Sequence, residues 1–157
     1  MRLVRIDRNN WEKVAGLTTN ADGMPTLHEE FLASNAYSLL QARFEGGWDT
    51  RAIEEDGEIV GFTMYGFNCT DGFYEICRLM IDRRFQGRGF GRRALRLITD
   101  EMKKIPGIRE IYISAEPENG RALRLYRSEG FTDTGSFLEG ETLLVMRIPA
   151  DVRRDRD

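Results

Sequence analysis

The sequence has few of the residues that build metal centres or disulfide frameworks, and no long apolar run. Its 157 residues include one histidine and two cysteines, Cys69 and Cys77, whose spacing matches no zinc site. No stretch of about 18 apolar residues is present, which excludes a membrane-spanning helix. Residues 1–7 alternate charged and apolar side chains, unlike a secretory signal. We therefore expect no metal, no membrane association and a reducing, cytoplasmic setting.

A large net charge is also absent, but the charges are segregated along the chain. The 23 basic and 26 acidic residues leave a formal net charge of −3. Residues 1–82 have a balance of −7 and residues 105–157 a balance of −2, whereas residues 83–104 have a balance of +6. A basic cluster in an otherwise acidic chain indicates a local anionic ligand. It argues against a nucleic-acid surface, which usually makes the whole domain basic.

Length and composition predict one mixed α/β domain over residues 1–150, followed by a charged tail over residues 151–157. With 41% hydrophobic residues, the chain is long enough to bury a core. Hydrophobic periodicity predicts the order β-α-α-β-β-β-α-β-α-β-β. The predicted strands are Leu3–Ile6, Trp48–Glu55, Glu58–Asn68, Tyr74–Ile81, Ile111–Ala115, Phe131–Leu138 and Glu141–Ile148, and the predicted helices are Trp11–Ala15, Leu27–Arg43, Gly89–Lys104 and Asn119–Glu129.

Turn and capping signals set several of these boundaries. Asp56-Gly57 and Glu139-Gly140 each separate two strand-like runs, which predicts two hairpins. Thr26 and Glu29 have the spacing of a capping box, in which each side chain satisfies a backbone N–H of the other residue. This pattern predicts that the second helix begins directly after Thr26.

The segment Gln86–Arg92 carries the most chemical information. Its three glycines allow tight turns and leave several N–H groups facing one point, and the helix that follows adds the positive end of its dipole. The loop therefore predicts a phosphate site. It lacks the Gly-Lys-Ser/Thr of a P-loop. It also lacks the third glycine of a dinucleotide-binding fingerprint, because Arg92 stands there.

This loop resembles the Gln/Arg-x-x-Gly-x-Gly/Ala signature of the GNAT superfamily of N-acetyltransferases. Gln86, Gly89 and Gly91 occupy the defining positions. A second segment, 119–131, is similar to the family's Asn-x-x-Ala-x-x-x-Tyr-x-x-x-Gly-Phe. The order of elements over residues 3–148 is similar too. The resemblance implies the GNAT fold: an α/β, mostly antiparallel mixed sheet with a central splayed parallel strand pair, flanked by helices.

The same resemblance implies acetyl-CoA as co-substrate, bound between the strands Tyr74–Ile81 and Ile111–Ala115. A backbone N–H near Leu79 or Met80 would polarise the thioester carbonyl. Arg92, Arg93 and Arg96 form an arginine face on the helix that follows the loop. This face is either a solvated surface or a contact for the 3′-phosphate of the cofactor. The residues implied to bind the cofactor are Leu79, Met80, Ile81, Gln86, Gly87, Arg88, Gly89, Phe90, Gly91, Arg92, Asn119 and Tyr126.

Acetyl transfer to an amine needs a base, because an alkylamine with a pKa near 10.4 must lose a proton before it attacks. Glu75, at the start of a strand that lines the cleft, is the first candidate, and Glu116 is the second; either could act through water. Tyr126 resembles the family tyrosine that protonates the departing thiolate. Helix spacing alone would instead make Tyr126 a core aromatic, and the two glutamates could be ordinary solvated residues.

Four further segments, residues 31–38, 60–66, 78–82 and 116–119, resemble the bacterial spermine/spermidine acetyltransferase subgroup. This resemblance implies a polyamine acceptor, acetylated by direct attack in a ternary complex, and it makes Glu30, Phe31, Asn35 and Glu75 candidates for substrate binding. The acidic first half of the chain suits a polycation, and we expect its carboxylates to form the acceptor side.

The sequence leaves other acceptors and other functions open. The acceptor could be a protein N-terminus, a lysine or another small amine such as an aminoglycoside. A catalytically silent acyl-CoA sensor is disfavoured because Tyr126 is present. Cys77, mid-strand among apolar residues, is expected to be a structural thiol. The resemblance also makes a homodimer possible.

Overall fold

One seven-stranded sheet organises the residues that the computed structural model describes, which are 1–27, 29 and 33–149. The strand order is β1-β2-β3-β4-β5-β7-β6, and helices cover both faces of the sheet. The elements are β1 (Arg2–Arg5), α1 (Trp11–Ala15), α2 (Asn35–Glu45), β2 (Trp48–Glu55), β3 (Glu58–Asn68), β4 (Phe73–Ile81), a 3₁₀ turn (Arg83–Phe85), α3 (Phe90–Lys103), β5 (Glu110–Ala115), α4 (Gly120–Ser128), β6 (Thr132–Leu138) and β7 (Glu141–Arg147).

Strands β4 and β5 run parallel, whereas the other paired neighbours in the described sheet run antiparallel. Their pairing is short: Glu75 lies opposite Tyr112 and Ile76 opposite Ile113, and the ladder then ends. Among the described strands, β3 alone lies beside β4 as it continues to Ile81, while β5 continues to its end paired with β7. The two parallel strands therefore diverge and leave a V-shaped gap in the middle of the sheet.

A β-bulge lies at the point where the gap opens. Tyr65 of β3 pairs with Ile76 of β4, and the preceding Met64 pairs with Arg78, so Cys77 is the extra residue in β4. A bulge bends its strand and increases the local twist. The extra residue thus turns the second half of β4 away from β5.

The helices pack by the apolar periodicity that the sequence contains. Helix α3 buries Ala94, Leu95, Ile98 and Met102 at spacings of one, three and four residues, which is one face of a helix. Helices α1 and α2 pack on the core that contains Phe62, whereas α3 and α4 belong to clusters on the opposite side of the sheet.

The predicted order of elements and the predicted fold class are confirmed. Asp56 and Gly57 have φ angles of 51° and 83°, and Glu139 and Gly140 have φ angles of 50° and 89°. Two consecutive positive φ angles are typical of the type I′ turn that suits a right-twisted hairpin. Both hairpins therefore form where the turn dipeptides predict them, and no strand boundary differs from its prediction by more than one residue.

The predicted start of the second helix is wrong. The Glu29 carboxylate accepts hydrogen bonds from the Thr19 N–H at 2.7 Å and the Thr19 hydroxyl at 2.5 Å, so its described partners lie in another segment. Helix α2 begins at Asn35, where the Ser34 hydroxyl accepts the Tyr37 N–H at 3.2 Å. A tertiary contact has displaced the local capping pattern. Residues 28 and 30–32 of the predicted helix lie outside the described residues.

A capping substitution tests this boundary. Ser34→Ala removes the acceptor of the Tyr37 N–H, and we expect it to lower the free energy of unfolding by about 1 kcal/mol, the usual contribution of an N-cap side chain. Urea denaturation measures the change. Ser136→Ala, an exposed serine on β6, is the matched control and should leave stability within about 0.5 kcal/mol of the wild type. Equal stabilities of the two variants would contradict the Ser34 cap.

Candidate active site

Two cavities meet at the mouth of the V-shaped gap. The larger, about 810 Å³, lies between the second half of β4, the loop that follows it, and helices α3 and α4. The smaller, about 330 Å³, lies between the end of α2, the first half of β4 and the β6–β7 turn. Leu79, Asn119 and Tyr126 line both cavities. These three residues therefore form the junction through which groups bound on the two sides would touch.

The loop after β4 forms an anion cradle in the larger cavity. Within the described ranges, no acceptor takes the backbone N–H groups of residues 87–92. Gly87 and Gly89 have φ angles of 79° and 76°, and a β-carbon built on either would meet no atom within 4 Å. The space in front of the loop is open, and α3 begins there at Phe90. Free amides at a helix N-terminus bind phosphate groups.

Arginine side chains make the larger cavity basic. Its described lining contains Arg92, Arg121 and Arg124 and one carboxylate, that of Glu118. Arg92 is anchored by Glu129, with 2.6 Å between its Nη1 and the carboxylate Oε1. Cations at a phosphate cradle add charge-assisted hydrogen bonds to the ligand.

The remaining arginines of α3 have acidic partners. Arg96 contacts Glu129 at 2.6 Å, and Arg93 contacts Glu55 at 2.6 Å. All three arginines of α3 are thus paired with carboxylates, and Arg92 is the one of the three that also lines the cavity.

Nearly all of the residues predicted for the cofactor line the larger cavity. Gln86 connects two of its walls, since its Nε2 donates to the Ile81 carbonyl at 3.1 Å and its Oε1 accepts from Arg121 at 3.4 Å. The exception is Arg88, whose guanidinium lies over the Phe85 ring at 5.5 Å. The residues brought to this cavity are Leu79, Met80, Ile81, Gln86, Gly87, Gly89, Phe90, Gly91, Arg92, Asn119 and Tyr126.

Thr19 also lines the larger cavity, and the sequence analysis missed it. The buried carboxylate of Asp82 explains the position of Thr19. This carboxylate accepts the N–H of the neighbouring Thr18 at 3.0 Å and the Arg84 N–H at 3.0 Å. These bonds hold the α1–α2 segment against the chain that leads into the cradle. The segment has no local signal for this contact, which joins residues 64 positions apart.

The smaller cavity is acidic. Among the described residues that line it, Arg78 is the one basic side chain. The carboxylates that line it are those of Glu45, Asp71, Glu75, Glu139 and Glu141. Cations are therefore favoured on this side of the junction, opposite to the preference of the larger cavity.

Only part of this acidic lining matches the expectation from the first half of the chain. Glu54 and Glu55 are held in ion pairs by Arg2 and Arg93 and line neither cavity. Glu139 and Glu141 come instead from the β6–β7 hairpin, because β7 lies directly beside β5. The strand order is needed to place these two carboxylates at the cavity.

Glu75 is buried in the lining of the smaller cavity. Its side chain is 4% exposed, and its Oε2 accepts a hydrogen bond from Asn68 at 2.9 Å. Burial raises the pKa of Glu75 above its ordinary value, while the hydrogen bond from Asn68 and the charge of Arg78 act in the opposite direction. A carboxylate with a raised pKa is a better base near neutral pH than an exposed one.

Tyr126 is buried at the junction itself, 7% exposed. Burial, and to a lesser extent the charge of Glu141, raises the pKa of Tyr126. The phenol therefore stays protonated at neutral pH. Within the part of the chain that the structure describes, its hydroxyl has no hydrogen-bond partner, so it is available to a bound group.

Cys77, at the bulge, lines the acidic cavity but is not suited to nucleophilic attack. Burial raises the pKa of its thiol to about 12, so the thiolate is scarce at neutral pH. Arg78 donates to the Cys77 carbonyl at 2.8 Å and lies 3.0 Å from its sulfur. These contacts fit the expected structural thiol.

Two predicted site residues lie away from the junction. Glu116 follows β5, lines neither cavity, and accepts the Asn119 N–H with its backbone carbonyl at 2.9 Å. Asn35 is 2% exposed and donates its amide to the Val14 carbonyl at 2.9 Å, which ties α2 to α1. Of the two candidate bases, Glu75 is the one that the fold brings to the cavities. The other predicted substrate residues, Glu30 and Phe31, lie outside the described residues.

Residues 1–27, 29 and 33–149 contain neither a metal-binding cluster nor a membrane-spanning helix. No group of three or more histidine, cysteine, aspartate or glutamate side chains lies close enough together to hold a metal ion. No helix in these ranges is long and apolar enough to cross a membrane.

Comparison with known proteins identifies relatives by sequence. Over 100 residues the chain is 31% identical to a spermine/spermidine N(1)-acetyltransferase of Bacillus subtilis (strain 168). That match covers 59% of this chain and 66% of the relative, so the chain spans just under two thirds of the length of the curated relatives it matches first.

Comparison with solved structures supports the fold. A spermidine N-acetyltransferase SpeG chimera from Vibrio cholerae and hSSAT has a TM-score of 0.70 at 18% identity, over 94% of this chain and 96% of that one. A GNAT family acetyltransferase from Elizabethkingia anophelis, solved with acetyl-CoA bound, has a TM-score of 0.57 at 19% identity, over 70% of this chain and 82% of that one. At such identities the likeness concerns the fold alone.

The family assignment rests on residues 11–131, which match the acetyltransferase (GNAT) family. This range contains the cradle, Glu75, Asn119 and Tyr126, the residues around which the two cavities are built. The chain therefore belongs to the GNAT acetyltransferase family.

Proposed function

We propose that the protein is an acetyl-CoA-dependent N-acetyltransferase that acts on a small polycationic amine, a polyamine such as spermine or spermidine. The observation that carries the proposal is the junction of a basic and an acidic cavity at Leu79, Asn119 and Tyr126. A donor that carries phosphates fits the basic side, and an acceptor that carries several ammonium groups fits the acidic side. The two would meet for direct attack in a ternary complex.

The residues of the larger cavity fit coenzyme A. The free amides of residues 87–92 and the side chain of Arg92 would hold the pyrophosphate. The unpaired edge of β4 at Leu79, Met80 and Ile81 offers backbone groups to the pantetheine arm, since peptide-like groups add to exposed strand edges. Bound acetyl-CoA would supply the thioester that is cleaved.

In this proposal Glu75 is the general base. An ammonium group that enters the acidic cavity must lose a proton before it can attack, and Glu75 is a buried carboxylate in the lining of that cavity. Burial raises the pKa of Glu75, which brings it closer to the pKa of the amine and favours proton transfer to the carboxylate. A water molecule could carry the proton between them.

Tyr126 is the proposed general acid. The departing thiolate needs a proton or a strong hydrogen bond, because a free thiol has a pKa near 8.5. The Tyr126 phenol stays protonated at neutral pH and lines both cavities, so it can donate at the point where the carbon–sulfur bond breaks.

The acidic lining favours a polyamine over a peptide acceptor. Among the described residues, five carboxylates and one arginine line the smaller cavity. Four of the carboxylates, those of Glu45, Asp71, Glu139 and Glu141, remain for ammonium groups that do not react. A peptide N-terminus carries one such group and would leave these charges unpaired. The similarity to the Bacillus subtilis relative supports the same acceptor class.

An acceptor panel tests the proposed function. Thiol release from acetyl-CoA should be fastest with spermine and spermidine, because several carboxylates can bind their separate ammonium groups. Amino acids, butylamine and ribosomal-protein peptides should react more slowly. Release with none of the amines would contradict the enzyme assignment, and a higher kcat/KM for a peptide would contradict the polyamine acceptor.

Substitution of Tyr126 separates its chemical role from a packing role. Tyr126→Phe removes only the hydroxyl, and we expect kcat to fall by about 100-fold, the lower range for loss of a general acid, with little change in acetyl-CoA affinity. Steady-state kinetics and calorimetry measure the two effects. Tyr112→Phe is the matched control, since the Tyr112 hydroxyl contacts Glu110 and lines neither cavity. An unchanged kcat in Tyr126→Phe would remove the proposed acid.

Substitution in the cradle tests the cofactor site. Gly89→Glu puts a side chain and a negative charge into the space in front of the free amides, and we expect it to abolish CoA binding measured by calorimetry. Gly107→Glu is the matched control, because Gly107 also has a positive φ and open space but lines neither cavity. Thermal unfolding of both variants reports the shared backbone strain. Tight binding retained by Gly89→Glu would locate the phosphates elsewhere.

A further inference from the structure

One asparagine side chain makes four hydrogen bonds beside the proposed base. Asn68, the last residue of β3, donates from Nδ2 to the Glu75 carboxylate at 2.9 Å and to the Asp71 carboxylate at 2.8 Å. Its Oδ1 accepts the backbone N–H groups of Thr70 and Asp71 at 3.0 and 3.1 Å. The side chain thus spans the distance from the β3–β4 turn to the acidic cavity.

The four partners fix the orientation of this amide. Two backbone N–H groups require the oxygen at one end, and two carboxylates require the nitrogen at the other end. A flipped amide would direct its oxygen at both carboxylates and its N–H groups at two donors. Gly72 N–H also donates to the Asn68 carbonyl at 2.8 Å, which closes the turn that carries the side chain. The donor is therefore held in one position.

This donor reaches only one oxygen of the buried carboxylate. The bond from Asn68 goes to Oε2 of Glu75, and Oε1 has no hydrogen bond within the described residues. Glu75 lines the acidic cavity, so a single oxygen is left for the acceptor amine or a water molecule. A hydrogen bond to the charged form also stabilises the ionised carboxylate, which burial and the nearby charge of Asp71 disfavour.

From this geometry we infer that Asn68 is the positioning residue of the general base: it orients the Glu75 carboxylate and keeps it ionised, so that one oxygen accepts the proton of the amine. The inference rests on the proposed function, since it assigns a role relative to Glu75 as base. Asn68 also holds Asp71 at the rim of the same cavity, which brings two carboxylates under the control of one amide.

The test is the pH dependence of kcat/KM for spermidine. Loss of the Asn68 donor removes a bond that favours the ionised form, so the pKa of Glu75 rises further. The base is then ionised only at higher pH. In Asn68→Ala we expect the acid limb of the profile to move to higher pH, with kcat/KM on that limb about tenfold lower, the low end for a charge-assisted hydrogen bond.

Two further variants separate this role from the structure of the turn. Asn68→Ser keeps an acceptor for the turn N–H groups but lacks the long amide that reaches Glu75. Asn68→Asp keeps the shape and the turn acceptor but replaces the donor with a negative charge. The inference predicts a shift in Asn68→Ser similar to that in Asn68→Ala, and the largest shift in Asn68→Asp.

A purely structural role predicts the reverse order. Asn68→Asp, which resembles asparagine most closely in turns, would then behave like the wild type, and Asn68→Ala would be the most impaired. Asn10→Ala is the matched control, because Asn10 accepts the Asp7 N–H at 2.9 Å in another turn and lines neither cavity. Its profile should match the wild type.

Each outcome has a distinct meaning. An unmoved acid limb in all three Asn68 variants, with an active wild type, would overturn the inference and leave the proposed function intact. A wild type that acetylates no amine would instead overturn the proposed function. Thermal unfolding of each variant shows whether a lower rate reflects a smaller folded fraction, which changes the height of the profile and not the position of its limb.

Discussion

The site depends on the short pairing between the two parallel strands of the sheet. Strands β4 and β5 share two residue pairs, after which β4 follows β3 and β5 follows β7. Buried backbone groups need hydrogen-bond partners, so a strand edge left open inside a sheet is favourable only beside solvent or a ligand. The bulge at Cys77 turns β4 outward and keeps this edge open. Both cavities form because the two strands diverge, and one cavity lies on each side of the point where they separate.

Electrostatics then gives the two sides of the gap opposite preferences. The cradle and its arginines attract anions, whereas the carboxylates around Glu75 attract cations, and the junction residues line both cavities. The formal charge of −3 conceals this arrangement, because the opposite charges are separated in space and nearly cancel in the sum. Reactants of opposite charge could each be drawn to their own side and meet at Tyr126.

The features that could be predicted from the sequence are those encoded locally. The Asp56-Gly57 turn, the glycine loop and the apolar face of α3 each depend on neighbouring residues, and each lies where its pattern indicates. The prediction of where the second helix begins was wrong, because Glu29 pairs with Thr19 in a tertiary contact and Ser34 supplies the cap instead. Glu141 could not be assigned to the acceptor side, since its position depends on the insertion of β7 between β5 and β6.

The same insertion has a consequence for biosynthesis. Strand β7 is the last of the seven in chain order, yet it lies inside the sheet, so the edge of β5 remains unpaired until residues 141–147 have left the ribosome. The phosphate cradle and α4 precede β7 in the chain and can fold earlier, whereas part of the acidic wall arrives with the final hairpin. During translation, a nascent chain would therefore form the cradle before the acidic cavity is complete, with an exposed strand edge that a chaperone could bind in the interval.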